Sequence, residues 1–186
     1  VFRSHFHVVE VLVAEPESDF RRRWLQEVRD GRLFSNGVTN TPETPLGGSS
    51  ARIGAENGRP VLHGAKSYTT GSLFADWLLV IADRADGEHG TVFVSASASG
   101  VSLVDDWDGF GQRTTSTGSA RFTAVPLEPW QFVPVRDPSR CGDILQLILL
   151  AVAAGIARNA ARDLADQVRR RTRVYLHGSS GRTRQD

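Results

Sequence analysis

A chain of 186 residues with a net charge of +1 suits one domain, or one domain and part of a second, and carries no general electrostatic attraction for nucleic acid. Its single cysteine, Cys141, excludes an internal disulfide and any cysteine-rich metal site, and points to a reducing compartment. There is no methionine and no targeting signal, and the chain opens on VFRSHF and closes on SSGRTRQD, which reads as an internal fragment of a longer cytoplasmic protein.

In chain order, HFHVVEVLV reads as the end of a helix closed by Glu15-Pro16. ESDFRRRWLQEVRDG is a better-marked helix: Ser18 or Asp19 can cap it, Phe20, Trp24, Leu25 and Val28 form one face, and Gly31 supplies the left-handed stop. From Leu33 the texture changes to short β-rich runs bounded by Gly, Asn or Pro: LFSNGVT, SSARIGAE, RPVLHGAKSYT, DWLLVIADR, GTVFVSA, GVSLVDD and SARFTAVPL. AENGRP carries the Asn-Gly signal of a tight hairpin, and ADGEHG is a second turn. From Asp143 to about Tyr175 the chain returns to helical periodicity. Its most apolar run, ILQLILLAVAAGIA at residues 144 to 157, contains Gln146 and is shorter than the roughly 20 residues of a bilayer span, so a buried helix is expected.

Helices, then a mainly antiparallel β region, then a long helix make an α+β chain, not a doubly wound one. No G-x-G-x-x-G opens a helix and no P-loop is present, so a nucleotide cofactor would be held without those devices.

Five histidines (His5, His7, His63, His89, His177) show no metal spacing, and no G-x-S-x-G elbow is present. His89 is expected to be a solvated turn residue, and His5 and His7, two apart on a helix, to face different directions. Asn36, Thr39, Asn40 and Thr41 offer amide and hydroxyl groups in a Gly- and Pro-rich stretch, which fits either the edge of a heterocycle or a plain surface turn. In AKSYTTGS, strand periodicity would place Lys66, Tyr68 and Thr70 on one face and Ser67 and Thr69 on the other, either as a polar site or as a half-exposed strand. Trp107 in DDWDGFGQRTTSTGS can pack on the core or stack on a planar ligand. The run VRRRTRVY is either a solvated basic face or a phosphate clamp.

These pieces occur together in an order that resembles the acyl-CoA dehydrogenase superfamily, in its flavin-dependent monooxygenase branch. The markers are HF followed by VVE, then FSNGVT, VLHGAKSYTTGSLFADWLLVIA, DDWDGFGQRTTSTGS and RRRTRVYLHG. The third is the most specific, with Gly64, Lys66, Tyr68, Thr70 and Gly71 at the motif positions.

The resemblance implies an acyl-CoA dehydrogenase-like fold in which residues 1–31 end an N-terminal helical domain, 32–135 form the flavin-binding β domain and 136–186 begin a C-terminal helical bundle. It implies His5, Asn36 and Thr70 as catalytic residues, and Asn36, Thr39, Tyr68, Thr70, Trp107, Ser119, Arg171 and Arg173 as cofactor-binding ones, with Lys66 structural. The implied reaction passes oxygen from a flavin C4a-hydroperoxide to a small organosulfur or similar substrate. FMN, with FAD as the alternative, would arrive reduced from a separate flavin reductase, O2 would be the co-substrate, and the assembly would be a homotetramer with neither nucleic acid nor membrane as partner. Val9 stands where dibenzothiophene-oxidising members carry a tyrosine. Two other expectations stay open: an FAD-dependent acyl-CoA dehydrogenase whose base lies outside this chain, and an inactive homologue acting only in subunit association.

Overall fold

The computed structural model describes residues 2–134 and 139–171. The chain divides into two compact units, Val1–Ile144 and Leu145–Asp186.

In the first unit, helix α1 (Phe2–Ala14) buries Ser4, His7, Val8 and Leu12, a stripe at helical spacing. Helix α2 (Asp19–Arg29) starts at Ser18, whose extended backbone lets its hydroxyl accept from the Arg21 amide at 3.2 Å. Gly31, at φ +80°, follows its end.

The strands are β1 (Phe34–Gly37), β2 (Ala51–Glu56), β3 (Arg59–Lys66), β4 (Trp77–Arg84), β5 (His89–Ser95), β6 (Val101–Val104), β7 (Ser119–Pro126) and β8 (Phe132–Pro134). They form one sheet in the order β6-β7-β3-β2-β4-β5-β8, with β1 paired to β4. β8 lies in a stretch, PWQFVPV, too short and proline-flanked to read as a strand. Asn57 and Gly58, at φ 49° and 75°, make the β2–β3 turn, the geometry that Asn-Gly favours. The β4–β5 turn is closed by the Arg84 amide on the Glu88 carbonyl at 2.8 Å. His89 is exposed, as expected, but it begins β5 instead of sitting in the turn, and its Nδ1 pairs with Asp83 Oδ1 at 2.5 Å. The strand register sets these two residues opposite each other.

The antiparallel pattern is broken at β4. β1 runs parallel to its first half, Phe34 opposite Trp77, and β2 runs parallel to its far end, Arg52 opposite Asp83. Two strands thus share one edge of β4. The apolar continuity of WLLVIA follows from burial on both faces. Leu78, Val80 and Ala82 join Leu62, Val92, Val94 and Phe122 in one core, while Leu79 and Phe93 pack with Phe34, Trp24, Val8 and Leu12 in the other.

Lys66 fills the gap where β1 ends and β2 begins. It is fully buried. Its Nζ donates to Asn40 Oδ1 at 2.6 Å and Ser49 Oγ at 2.9 Å, and the Ser49 amide donates to Asp83 Oδ2 at 2.9 Å. A compact ammonium fits between two close acceptors where a guanidinium fork would not, which accounts for the one lysine among arginines. Burial lowers its pKa to about 8, with Asp83 opposing the shift. Between that value and the ordinary 10.5 the unfolded chain binds more protons than the folded one, so stability rises with pH across this window. We expect the gain to be roughly 1–3 kcal/mol. Denaturant unfolding of wild type and Lys66→Met across the window checks it; equal slopes in the two proteins would refute the assignment.

In the second unit the described structure is helix α3 (Ser139–Arg170), which begins in the first unit and ends just before Arg171. Its stretch Asp143–Arg170 is long and apolar enough, by length and composition, to cross a membrane. Its apolar part is the run ILQLILLAVAAGIA at residues 144 to 157, and the turns beyond it carry Arg158, Arg162, Asp163, Asp166, Arg169 and Arg170. Leu147, Leu150, Ile156 and Leu164 are exposed on it, in place of the burial expected.

Candidate functional site

The site is built where β3 ends. A register shift between Leu62 and Gly64, with Gly64 at φ +124°, marks a bulge. The strand stops at Lys66, and the next residues do not alternate as a strand would. Tyr68 is left-handed, at φ 56°, and the Thr70 amide turns back onto the Tyr68 carbonyl at 2.9 Å. Lys66, Tyr68 and Thr70 therefore do not share a strand face, because a period of two needs extended backbone throughout. Tyr68 is 60% exposed. Thr69 is buried and donates to the Gly118 carbonyl at 3.0 Å.

Thr70 is a point of convergence. Its carbonyl accepts from Ser4 Oγ of α1 at 3.0 Å and from Ser35 Oγ of β1 at 2.8 Å. Its hydroxyl accepts from Thr117 Oγ1 at 3.0 Å. The Gly71 amide bonds the carbonyls of Thr115 and Ser116, both at 3.0 Å, tying the turn to the segment before β7. Ser4, Ser35 and Thr117 were not singled out in the sequence. Ser4 had a signal, since it opens the buried stripe of α1, and Thr117 lies in the hydroxyl-rich end of the marker DDWDGFGQRTTSTGS.

Beside this turn Tyr68 and Trp107 meet edge to face, ring centres 6.0 Å apart. Trp107 Nε1 donates to the Gly111 carbonyl at 2.8 Å. The two rings border a cleft of about 420 Å³ lined also by Ser67, Asp106, Gly118 and Ser119. Ser119 donates its hydroxyl to Asp106 Oδ2 at 2.7 Å and its amide to Oδ1 at 2.8 Å. Its hydroxyl is thus left only as an acceptor toward the cleft.

Two imidazoles of α1 flank β1. His5 Nδ1 accepts from the Phe34 amide at 3.3 Å, and His7 Nδ1 lies 3.4 Å from Asn36 Nδ2. Burial lowers the pKa of both, helped at His7 by Arg3. Both are therefore neutral at neutral pH, and the His5 contact places its proton on Nε2. Thr39 is exposed, and its carbonyl accepts from the Ser67 amide at 2.9 Å. Asn40 serves Lys66. Arg171 lies in the second unit, and Arg173 lies outside the described residues. Among the described residues no group of His, Cys, Asp and Glu is placed to hold a metal.

The cleft combines two aromatic rings with the Ser119 hydroxyl and the Asp106 carboxylate, beside the turn that carries Thr70. That chemistry suits a planar heteroaromatic group with polar edges.

No protein-family model matches the chain. It is 30% identical over 136 residues to a dibenzothiophene monooxygenase of Rhodococcus erythropolis, covering 64% of this chain and 33% of that protein. It is 28% identical over 131 residues to the probable FMNH2-dependent monooxygenase SfnC of Pseudomonas putida, covering 66% of this chain and 33% of that one. The structure matches FMN-bound TdsC from Paenibacillus sp. A11-2 with a TM-score of 0.80 at 26% identity, over 98% of this chain and 50% of that one. The chain thus spans about a third of the length of these curated relatives.

Proposed function

We propose, on the premise that this chain is homologous to flavin-dependent monooxygenases of acyl-CoA dehydrogenase-like fold, that it is the flavin-holding part of a reduced-flavin-dependent monooxygenase. The observation that carries this reading is the convergence of Ser4, Ser35 and Thr117 on Thr70 beside the Tyr68–Trp107 cleft. Reduced FMN, when bound, would supply the oxygen-activating chemistry. Residues 32–135 are the flavin-binding β domain in this reading.

The chain's own residues then have separate tasks. Tyr68 and Trp107 border the ring and exclude water. The Thr70 hydroxyl, held from behind by Thr117, offers its proton to a ring acceptor. Asn36 places its amide beside the ring, with His7 bonded to one side of it. His5, neutral and fixed through Nδ1, holds a proton at Nε2 for transfer during oxygen activation. The substrate is a small organosulfur compound or a similar heteroatom compound, and O2 the co-substrate. A flavin reductase is the supplier of reduced FMN, the assembly a homotetramer, and the location cytoplasmic. α3 is in this reading a helix of a C-terminal bundle.

The test is flavin titration and oxygen uptake with the natural full-length protein. Thr70→Val and Asn36→Ala are each expected to weaken FMN binding by about 0.5–1.5 kcal/mol. Oxygen uptake with reduced FMN, and an oxygenated sulfur product, are expected. Dye reduction with an acyl-CoA would favour the FAD-dependent dehydrogenase instead. Absence of any flavin binding would leave only a role in subunit association.

A further inference from the structure

We propose that Thr117 is a positioning residue that turns the Thr70 hydroxyl into a hydrogen-bond donor toward the ring bound at this site. The inference rests on the flavin reading of the site.

A hydroxyl has one proton and two lone pairs. Thr117 Oγ1 donates to Thr70 Oγ1 at 3.0 Å. Thr117 Oγ1 also lies 2.8 Å from Thr115 Oγ1, whose own proton goes to the Gln112 carbonyl at 2.7 Å. Of the two hydroxyl contacts of Thr117, the one whose geometry fixes a direction runs to Thr70, so Thr70 Oγ1 is the acceptor there. Ser4 and Ser35 occupy the Thr70 carbonyl and leave its hydroxyl alone. Among the described residues no acceptor takes the Thr70 hydroxyl proton, so it is available to a bound acceptor such as a ring nitrogen or carbonyl.

The relative placement of the two threonines is rigid. Thr117 is buried, at 6% exposure, which shields its bond from water. On either side, backbone bonds clamp the two segments: Gly71 to Thr115 and Ser116, and Thr69 to Gly118 at 2.8 Å. Without Thr117 the Thr70 hydroxyl would rotate among its staggered positions, and only part of the population would present a proton outward.

The experiment is a double-mutant cycle on FMN affinity in the natural full-length protein, read by titration and by the visible absorption of the bound flavin. Thr117→Val is expected to weaken FMN binding roughly three- to tenfold and to shift the flavin bands as Thr70→Val does. Thr117→Ser, which keeps the hydroxyl, is expected to stay within about twofold of wild type. In the Thr70→Val background, Thr117→Val is expected to add nothing further. Thr117→Ala provides a second hydroxyl-free variant should the valine not fold, with thermal melting as the control. Equal losses from Thr117→Val with and without Thr70 would overturn the positioning role, as would an unchanged affinity in Thr117→Val. If Thr70→Val weakens binding while Thr117→Val does not, this inference fails and the flavin reading stands. If the wild type binds no FMN, both fall.

Discussion

Gly64→Ala is expected to destabilise the protein by at least about 3 kcal/mol and, with it, to remove the flavin binding proposed above. Gly64 sits at φ +124°, a region that L side chains rarely adopt. A Cβ there would lie 2.1 Å from the Ser50 carbonyl oxygen and 2.7 Å from Ala51 Cα. Both are backbone atoms, one in the first residue of the paired strand β2 and one in the residue before it, so no side-chain rotation relieves the clash. The consequence reaches the site because the bulge at Gly64 sets the register that carries Lys66 into its pocket and Thr70 onto Ser4 and Ser35. Thermal melting and FMN titration of Gly64→Ala measure it. A melting temperature within about 2 °C of wild type would contradict the strain argument.

Trp24→Ala is expected to cost about 3–5 kcal/mol. Trp24 has no exposed surface. Its ring stacks on Phe93 with centroids 4.3 Å apart, and meets Trp77 and Phe34 edge-on at 4.8 and 6.1 Å. It therefore joins α2 to β1, β4 and β5 through one side chain. Phe34 directly precedes Ser35 and Asn36, so a cavity here loosens the strand that supports the Thr70 carbonyl. Flavin affinity is expected to fall together with stability. Trp24→Phe should lose much less, since it keeps an aromatic ring and removes a buried indole N–H that has no partner among the described residues. Phe110→Ala, at a fully exposed ring, is the control and should change neither quantity. Chemical denaturation of the three variants decides between this and a merely local role. Equal losses for Trp24→Ala and Phe110→Ala would sink it.

What the sequence by itself determined is local or periodic. The Ser18 cap, the Phe20–Trp24–Val28 face, the Asn57-Gly58 turn and the β runs are written in short-range signals, because caps, turns and pleats are decided within a few residues. The burial of WLLVIA on two faces was legible in its unbroken apolar character. The resemblance of the motif around Lys66 also pointed to Tyr68 and Thr70, and that of DDWDGFGQRTTSTGS to Trp107, whose ring the fold sets against Tyr68.

What only the tertiary structure decided depends on contacts between distant segments. Nothing near Lys66 in sequence says that its ammonium ends between Asn40 and Ser49, since those partners arrive from the excursion between β1 and β2. Two strands sharing one edge of β4 is likewise a matter of long-range pairing. Tyr68 adopts left-handed backbone where β propensity favours extension, because the bonds from Thr69 to Gly118 and from Gly71 to Thr115 and Ser116 outweigh a local preference worth about 1 kcal/mol. Ser4, Ser35 and Thr117 are unremarkable hydroxyls until helix, strand and loop meet. A hydroxyl's role is set by the one partner its proton finds, and that partner is chosen by packing across the fold.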